Sequence, residues 1–230
     1  MNKVSWWLKA WSYVAEVQIE SASSVFNPTL QVSLYRGRYQ LSTERSIYSF
    51  DDLYVNYLQA FKKVTLPPNG GEVLLLGVGL GSVPFMLEHI FKKKYSYVAV
   101  EIDDVVIYLA SKYTLSRLSA PIETICADAT AFVQQDSRKF DLIIVDLFLD
   151  DVIPESFEHS DMNEQVRDKL KPGGLVMYNR LYRTYGDRQR TEKFYHEVFE
   201  ATYDQSSYIN VKGNWILLGS SGNEKPQHPF

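Results

Sequence analysis

A chain of 230 residues and 26.5 kDa can bury a full core, as one large domain or a domain with a small appendage. A content of 45% hydrophobic and 23% charged residues is that of a globular protein, and a net charge of −4 leaves no basic footprint for a nucleic-acid partner. The single cysteine, Cys126, excludes an intramolecular disulfide framework and fits a reducing compartment. The opening MNKVSWWLKAWSYV is interrupted by Ser5, Lys9 and Ser12 and has no continuous apolar core or small-residue cleavage site. No apolar run approaches the roughly 20 residues of a membrane helix. A cytoplasmic protein without a membrane partner is therefore expected.

In chain order, residues 14–49 carry the pattern of short strands. Leu30–Tyr35 alternates apolar and polar residues, Arg36-Gly37-Arg38 is a turn signal, and Tyr39–Ser42 alternates again, which makes a hairpin. A helix is expected over Asp51–Lys63, with Asp51 and Asp52 at its positive end. The run Leu66-Pro67-Pro68-Asn69-Gly70-Gly71 then breaks the chain. Beyond it strands and helices alternate, the pattern of a parallel sheet covered on both faces. Strands are predicted at Glu72–Leu76, Tyr97–Val100, Ile122–Cys126, Leu142–Val145 and Leu175–Tyr178. Helices are predicted at Ser82–Lys94, Asp103–Tyr113, near Asp161–Leu170 and at Gln189–Ala201. Ser207–Val211 and Trp215–Leu218, joined by Lys212-Gly213-Asn214, form a closing hairpin. The fold class that follows is α/β: a doubly wound, mostly parallel sheet of the methyltransferase-like Rossmann kind over residues 50–230, with a small N-terminal antiparallel β unit at residues 1–49.

Four features stand where such a fold needs ligand groups. In Glu72-Val-Leu-Leu-Leu-Gly77-Val-Gly79-Leu-Gly81-Ser82, glycines between a strand and a helix admit close backbone approach beside unpaired helix N–H groups. Tight packing of the turn would also call for them. Glu101 ends the second strand of the domain 20 residues after Gly81, where an acid can accept both ribose hydroxyls. Asp128, before Ala129, closes the third strand, either beside an adenine or as an N-cap. Asp146 ends the wholly apolar fourth strand, and ligands in open α/β sheets sit at carboxyl ends near the reversal of strand order. Asp150, Asp151 and Glu155 follow in an acidic loop.

The order of hairpin, helix with Tyr54, glycine turn, Val100-Glu101-Ile102-Asp103, Asp128-Ala129 and Val145-Asp146 resembles the spermidine synthase family of aminopropyltransferases over roughly residues 30–180. The resemblance implies decarboxylated S-adenosylmethionine, or S-adenosylmethionine itself, as cofactor, with no metal. It implies that Gly77, Gly79 and Gly81 line that cofactor, that Glu101 takes its ribose, and that Asp128-Ala129 meets its adenine. Asp146 would be the catalytic carboxylate, and Tyr54 and Asp150 would meet a small-molecule amine. A homodimer is compatible with it. The chain departs from the family at Leu80, where an acid usually holds the cofactor's amino group, at Val55-Asn56 after Tyr54, and at Leu149, the place of a second acid. Ordinary methyl transfer and a non-catalytic nucleoside-binding protein are the alternatives. Ser82 in place of a last glycine, with no hydride-transfer constellation, argues against a dinucleotide dehydrogenase.

Overall fold

The computed structural model describes residues 5–44, 46–148 and 152–222. A short helix α1 (Trp6–Trp11) leads into β1 (Val17–Ala22), β2 (Leu30–Tyr35), β3 (Arg38–Ser42) and β4 (Ile47–Ser49). These four strands pair in sequence order as one antiparallel sheet. The predicted hairpin is β2–β3, and Arg36 and Gly37 turn it with φ of 51° and 75°.

The second sheet has seven strands: β5 (Glu72–Leu76), β6 (Ser96–Glu101), β7 (Ile122–Cys126), β8 (Phe140–Val145), β9 (Leu170–Leu181), β10 (Gln205–Val211) and β11 (Asn214–Ser220). Their order is β10-β11-β9-β8-β5-β6-β7, parallel from β9 to β7 and antiparallel at β9–β11–β10. This is the doubly wound architecture expected, with its closing hairpin.

The helices are α2 (Val55–Phe61), α3 (Ser82–His89), α4 (Asp104–Tyr113), α5 (Ala129–Gln135), α6 (Ser160–Asp168), α7 (Tyr185–Phe194) and α8 (Glu200–Thr202). Among the described residues no helix is long and apolar enough to cross a membrane.

Strand β5 shows why its sequence is an unbroken apolar run. Val73 and Leu75 pack on one face with Tyr57, Met86 and Leu87, while Leu74 and Leu76 pack on the other with Phe132, Val166 and Phe199. Both faces are covered, so neither can be polar. Strand order reverses at β5, which lies between β6 and β8, so the carboxyl ends of these three strands open onto one crevice.

A third apolar cluster joins the two sheets. Leu30, Val32 and Leu41 of the small sheet meet Val106, Leu109 and Tyr113 of α4, with Leu80 from the glycine turn among them. Polar ties run along the same seam. Asn27 Nδ2 donates to Asp103 Oδ2 at 2.7 Å, Lys112 pairs with Glu20 at 2.7 Å, and Arg117 pairs with the buried Asp51 at 3.0 Å.

The helix expected over Asp51–Lys63 is broken at its start. Asp51–Leu53 is a 3-10 turn, Asp51 has φ of 35°, and regular helix begins only at Val55. The cause is that Asp51 and Asp52 do not serve a helix N-terminus; Arg117 and Arg38 hold their carboxylates. The helix from Ser82 stops at His89 rather than Lys94, and Lys92 turns out of it with φ of 56°. The helix predicted from Gln189 begins at Tyr185, under a capping box of Thr184 and Asp187, and passes through a π turn over Tyr195–Phe199. Strand β9 runs past its predicted end at Tyr178 to Leu181.

Leu80 is 1% exposed, so Leu80→Asp sets a carboxylate into the seam. The expected loss is at least the roughly 2–5 kcal/mol of a buried leucine truncation, with the cost of burying a polar group added. Urea unfolding checks it; an unchanged midpoint and slope would remove Leu80 from the seam.

Candidate active site

The crevice is built where β8 ends. Leu142 to Val145 are fully buried, and the Asp146 amide continues the ladder by donating to Leu76 O at 2.9 Å. The Asp146 backbone also presses on Gly77. A β-carbon built on Gly77 would lie 2.2 Å from Asp146 O, and Gly77 has φ of 87°. Only glycine admits both that conformation and that approach. Gly79, with φ of 51°, lies close to the small sheet, since a β-carbon there would be 3.2 Å from both Ser49 Cβ and Tyr48 O. Ser82 Oγ meets Ser49 Oγ at 2.6 Å and accepts from the Phe50 amide at 2.8 Å. The small sheet therefore forms one wall of the crevice and the glycine turn the other.

The side chain of Asp146 lines this crevice and is held on two sides. Tyr54 Oη donates to it at 3.0 and 3.3 Å, and Asn179 Nδ2 donates to Oδ1 at 2.9 Å. Burial pushes the Asp146 carboxyl up to about 6, the bonds from Asn179 and Tyr54 pull it down, and the nearby Glu101 raises it. Burial, then the Asp146 charge, holds the Tyr54 phenol well above its ordinary range, so it remains a donor. The break between the 3-10 turn and α2 is what aims Tyr54 at this carboxylate.

Glu101 lines the crevice at the end of β6. Its Oε2 accepts from the Val78 amide at 3.1 Å, and its Oε1 accepts from the Ile102 and Asp103 amides at 3.0 and 3.2 Å. Burial raises its carboxyl against these three bonds. It thus pins the glycine turn to the neighbouring strand end. Asp103, the N-cap of α4, is the buried partner of Asn27 and Ser24 from the small sheet.

Of the residues predicted to form the site, the fold brings Gly77, Gly79, Glu101, Tyr54 and Asp146 together in the crevice lining. Three others lie outside that lining. Gly81 is the N-cap of α3, with φ of 93°, and packs against Leu115. Asp128 is exposed and caps α5 through the Ala131 amide at 3.0 Å. Ala129 is buried beside Phe132 and Val133. Asp150 and Leu149 lie outside the described residues. Leu80 faces the seam and not the crevice, so its position offers no side chain to a ligand.

Among the crevice residues that went unmarked in the sequence are Asn27, Asn179, Arg183 and Asn214. Asn179 carries a usable signal, a polar side chain at the carboxyl end of an apolar parallel strand. Asn214 falls in a hairpin turn and carries none. Asn214 Nδ2 donates to Asn179 Oδ1 at 2.8 Å, and both residues are nearly fully buried.

Comparison with known proteins bears on this geometry. The family model of the spermine/spermidine synthase domain matches residues 52–208. A "Probable polyamine aminopropyl transferase" of Bifidobacterium longum (strain NCC 2705) is 30% identical over 123 residues, 54% of this chain and 27% of that protein. A "Polyamine aminopropyltransferase" of Vibrio vulnificus (strain CMCP6) is 27% identical over 162 residues, 68% of this chain and 49% of that protein. The chain thus spans between about a quarter and a half of the length of these curated relatives. A crystal structure of spermidine synthase with the transition-state analogue AdoDATO shares the fold, with a TM-score of 0.70 at 17% identity, covering 90% of this chain and 74% of that one. With its glycine turn, Glu101 and Asp146 gathered at the strand-order reversal and a family model matching over two thirds of its length, the chain belongs to the spermine/spermidine synthase domain family.

Proposed function

We propose that this chain is an alkyltransferase that uses a sulfonium nucleoside, decarboxylated S-adenosylmethionine, to aminopropylate a small amine. One observation carries the proposal above the others. Asp146, a buried carboxylate at the switch point, is held by two donors beside a glycine turn pinned by Glu101. The names of the relatives and the analogue in the related crystal structure support the same chemistry.

The residues present fit the nucleoside. The wall at Gly77 and Gly79 has no side chains, and Glu101 has two carboxylate oxygens beside it to accept ribose hydroxyls. The resemblance would carry the adenine amino group to Asp128, which is exposed two residues past β7 and outside the crevice lining. The bound sulfonium supplies an electrophilic carbon and a good leaving group. The chain's task is then to present an unprotonated amine. Alkylamines are almost wholly protonated near neutrality, whereas Asp146 is ionised above its value of about 6. Its carboxylate attracts the ammonium, aligns it and accepts a proton, while Tyr54 and Asn179 fix the orientation of its oxygens. The small sheet and the glycine turn wall the crevice in which this step would occur.

One observation keeps methyl transfer as a second reading. Leu80 offers no acid to a cofactor amino group, because it is committed to the seam. Calorimetry with S-adenosylmethionine and its decarboxylated form separates the two; tighter binding of the carboxylated form would overturn aminopropyl transfer.

The Asp146 carboxylate is the working form. Its raised value therefore places the acid limb of kcat/KM near pH 6, with activity lost as pH falls below it, rather than near the ordinary aspartate value. Asp146→Asn is expected to lower turnover by roughly 10²–10⁴, followed as release of 5′-methylthioadenosine, with nucleoside affinity nearly unchanged. Ionising this buried group opposes folding. Stability present below the ordinary value near 3.8 is lost as pH rises through about 6, so the asparagine variant melts higher above pH 6. Full activity of Asp146→Asn would refute the mechanism.

Glu101→Ala is expected to weaken 5′-methylthioadenosine binding by about 1.5–3 kcal/mol, as for a lost charged hydrogen bond. Adenine binding should change much less. Equal losses for both ligands would leave Glu101 only its role in pinning the turn.

A further inference from the structure

The closing hairpin places a second amide behind the one that touches Asp146. We propose that Asn214 is a positioning residue: it locks the Asn179 amide so that only its donor side faces the Asp146 carboxylate. The inference rests on the proposed role of Asp146.

An amide has one donating and one accepting end, and nothing in its shape distinguishes them. Asn214 Nδ2 donates to Asn179 Oδ1 at 2.8 Å, which claims the accepting end. The donating end is left for Asp146 Oδ1 at 2.9 Å, with Tyr54 Oη at 3.5 Å. With the Asn179 amide reversed, its oxygen would face the carboxylate. Two acceptors at that distance repel unless Asp146 takes up a proton. A proton on Asp146 removes the acceptor that an amine substrate needs.

The two asparagines reach this point from neighbouring strands, Asn179 near the end of β9 and Asn214 at the start of β11. Asn179 is 2% exposed and Asn214 4%, so water cannot readily replace either bond. Asn214 bonds Asn179, and Asn179 in turn bonds Asp146, so the influence of Asn214 passes through Asn179.

The other groups that act on Asp146 come from elsewhere in the fold. Tyr54 donates from the start of α2, Tyr57 lies behind on the same helix, and Glu101 repels from the end of β6. Arg183 stands at the rim beyond β9, where its charge acts on Tyr54. A displaced titration in an Asn214 variant therefore reports the amide and not a lost charge.

The test is a double-mutant cycle on the full chain, with Asn214→Leu and Asn179→Leu read singly and together. Carbon-13 NMR of the Asp146 carboxyl follows its titration without need of turnover. Asn214→Leu is expected to move the midpoint upward by about one pH unit, a tenfold change in the ionisation equilibrium. Asn179→Leu should move it in the same direction. In the Asn179→Leu background, Asn214→Leu should add nothing. Asn214→Ser, which keeps a donor on a smaller side chain, should restore part of the wild-type midpoint and guards against a variant that fails to fold. An unchanged midpoint in Asn214→Leu, or an equal shift in both backgrounds, would overturn the inference. Absence of 5′-methylthioadenosine release by the wild-type chain would instead overturn the transferase proposal and leave this titration result intact.

Discussion

The site depends on one close approach, that of the Asp146 backbone to Gly77. The residues just past parallel strands β5 and β8 approach this closely only because Gly77 has no side chain. That contact joins the glycine turn to the carboxylate, so the two parts of the crevice are not independent. The Gly77 amide donates to Val100 O and the Asp146 amide to Leu76 O, both at 2.9 Å, which extends the sheet's ladder to the edge of the crevice. The carboxylate is thus mounted directly on the end of the central sheet. A group whose orientation must be held against a reacting amine gains from that mounting, because little reorganisation remains for the reaction itself.

The second constraint comes from the small sheet. It forms no part of the doubly wound core, yet it supplies a wall of the crevice through Tyr48 and Ser49. Its position is set by an apolar seam and by three polar ties to α4 and the chain just beyond it. Leu80 belongs to this seam. The structure gives it a physical role: the side chain lies outside the crevice lining and in the joint between the sheets. The same seam accounts for the buried pair of Asp51 with Arg117, which distorts the chain just before α2 and so leaves Tyr54 at a break, aimed at Asp146. Packing at the seam and geometry at the site are linked through these few residues.

The electrostatics of the crevice are balanced rather than extreme. Burial and Glu101 favour the neutral form of Asp146, while two donors favour the charged form. A carboxylate at about 6 is charged at neutral pH and is more basic than an exposed aspartate, which suits a group that accepts a proton from an ammonium held against it. The balance requires every donor to be correctly oriented, which gives a physical reason for an amide behind an amide.

Much of this was legible in the amino-acid order. Continuous apolar runs such as Val73–Leu76 predict strands covered on both faces, and the glycines, Glu101 and Asp146 follow from where such strands must end. These are local signals: a strand's period, a turn's conformational demand, an acid closing an apolar run. Tertiary structure alone decided the rest. That Leu80 faces a seam and that Asn179 and Asn214 meet across neighbouring strands both depend on which way a side chain points once sheets pack. Contacts between residues tens of positions apart are set by packing and register, and no short window of sequence contains them.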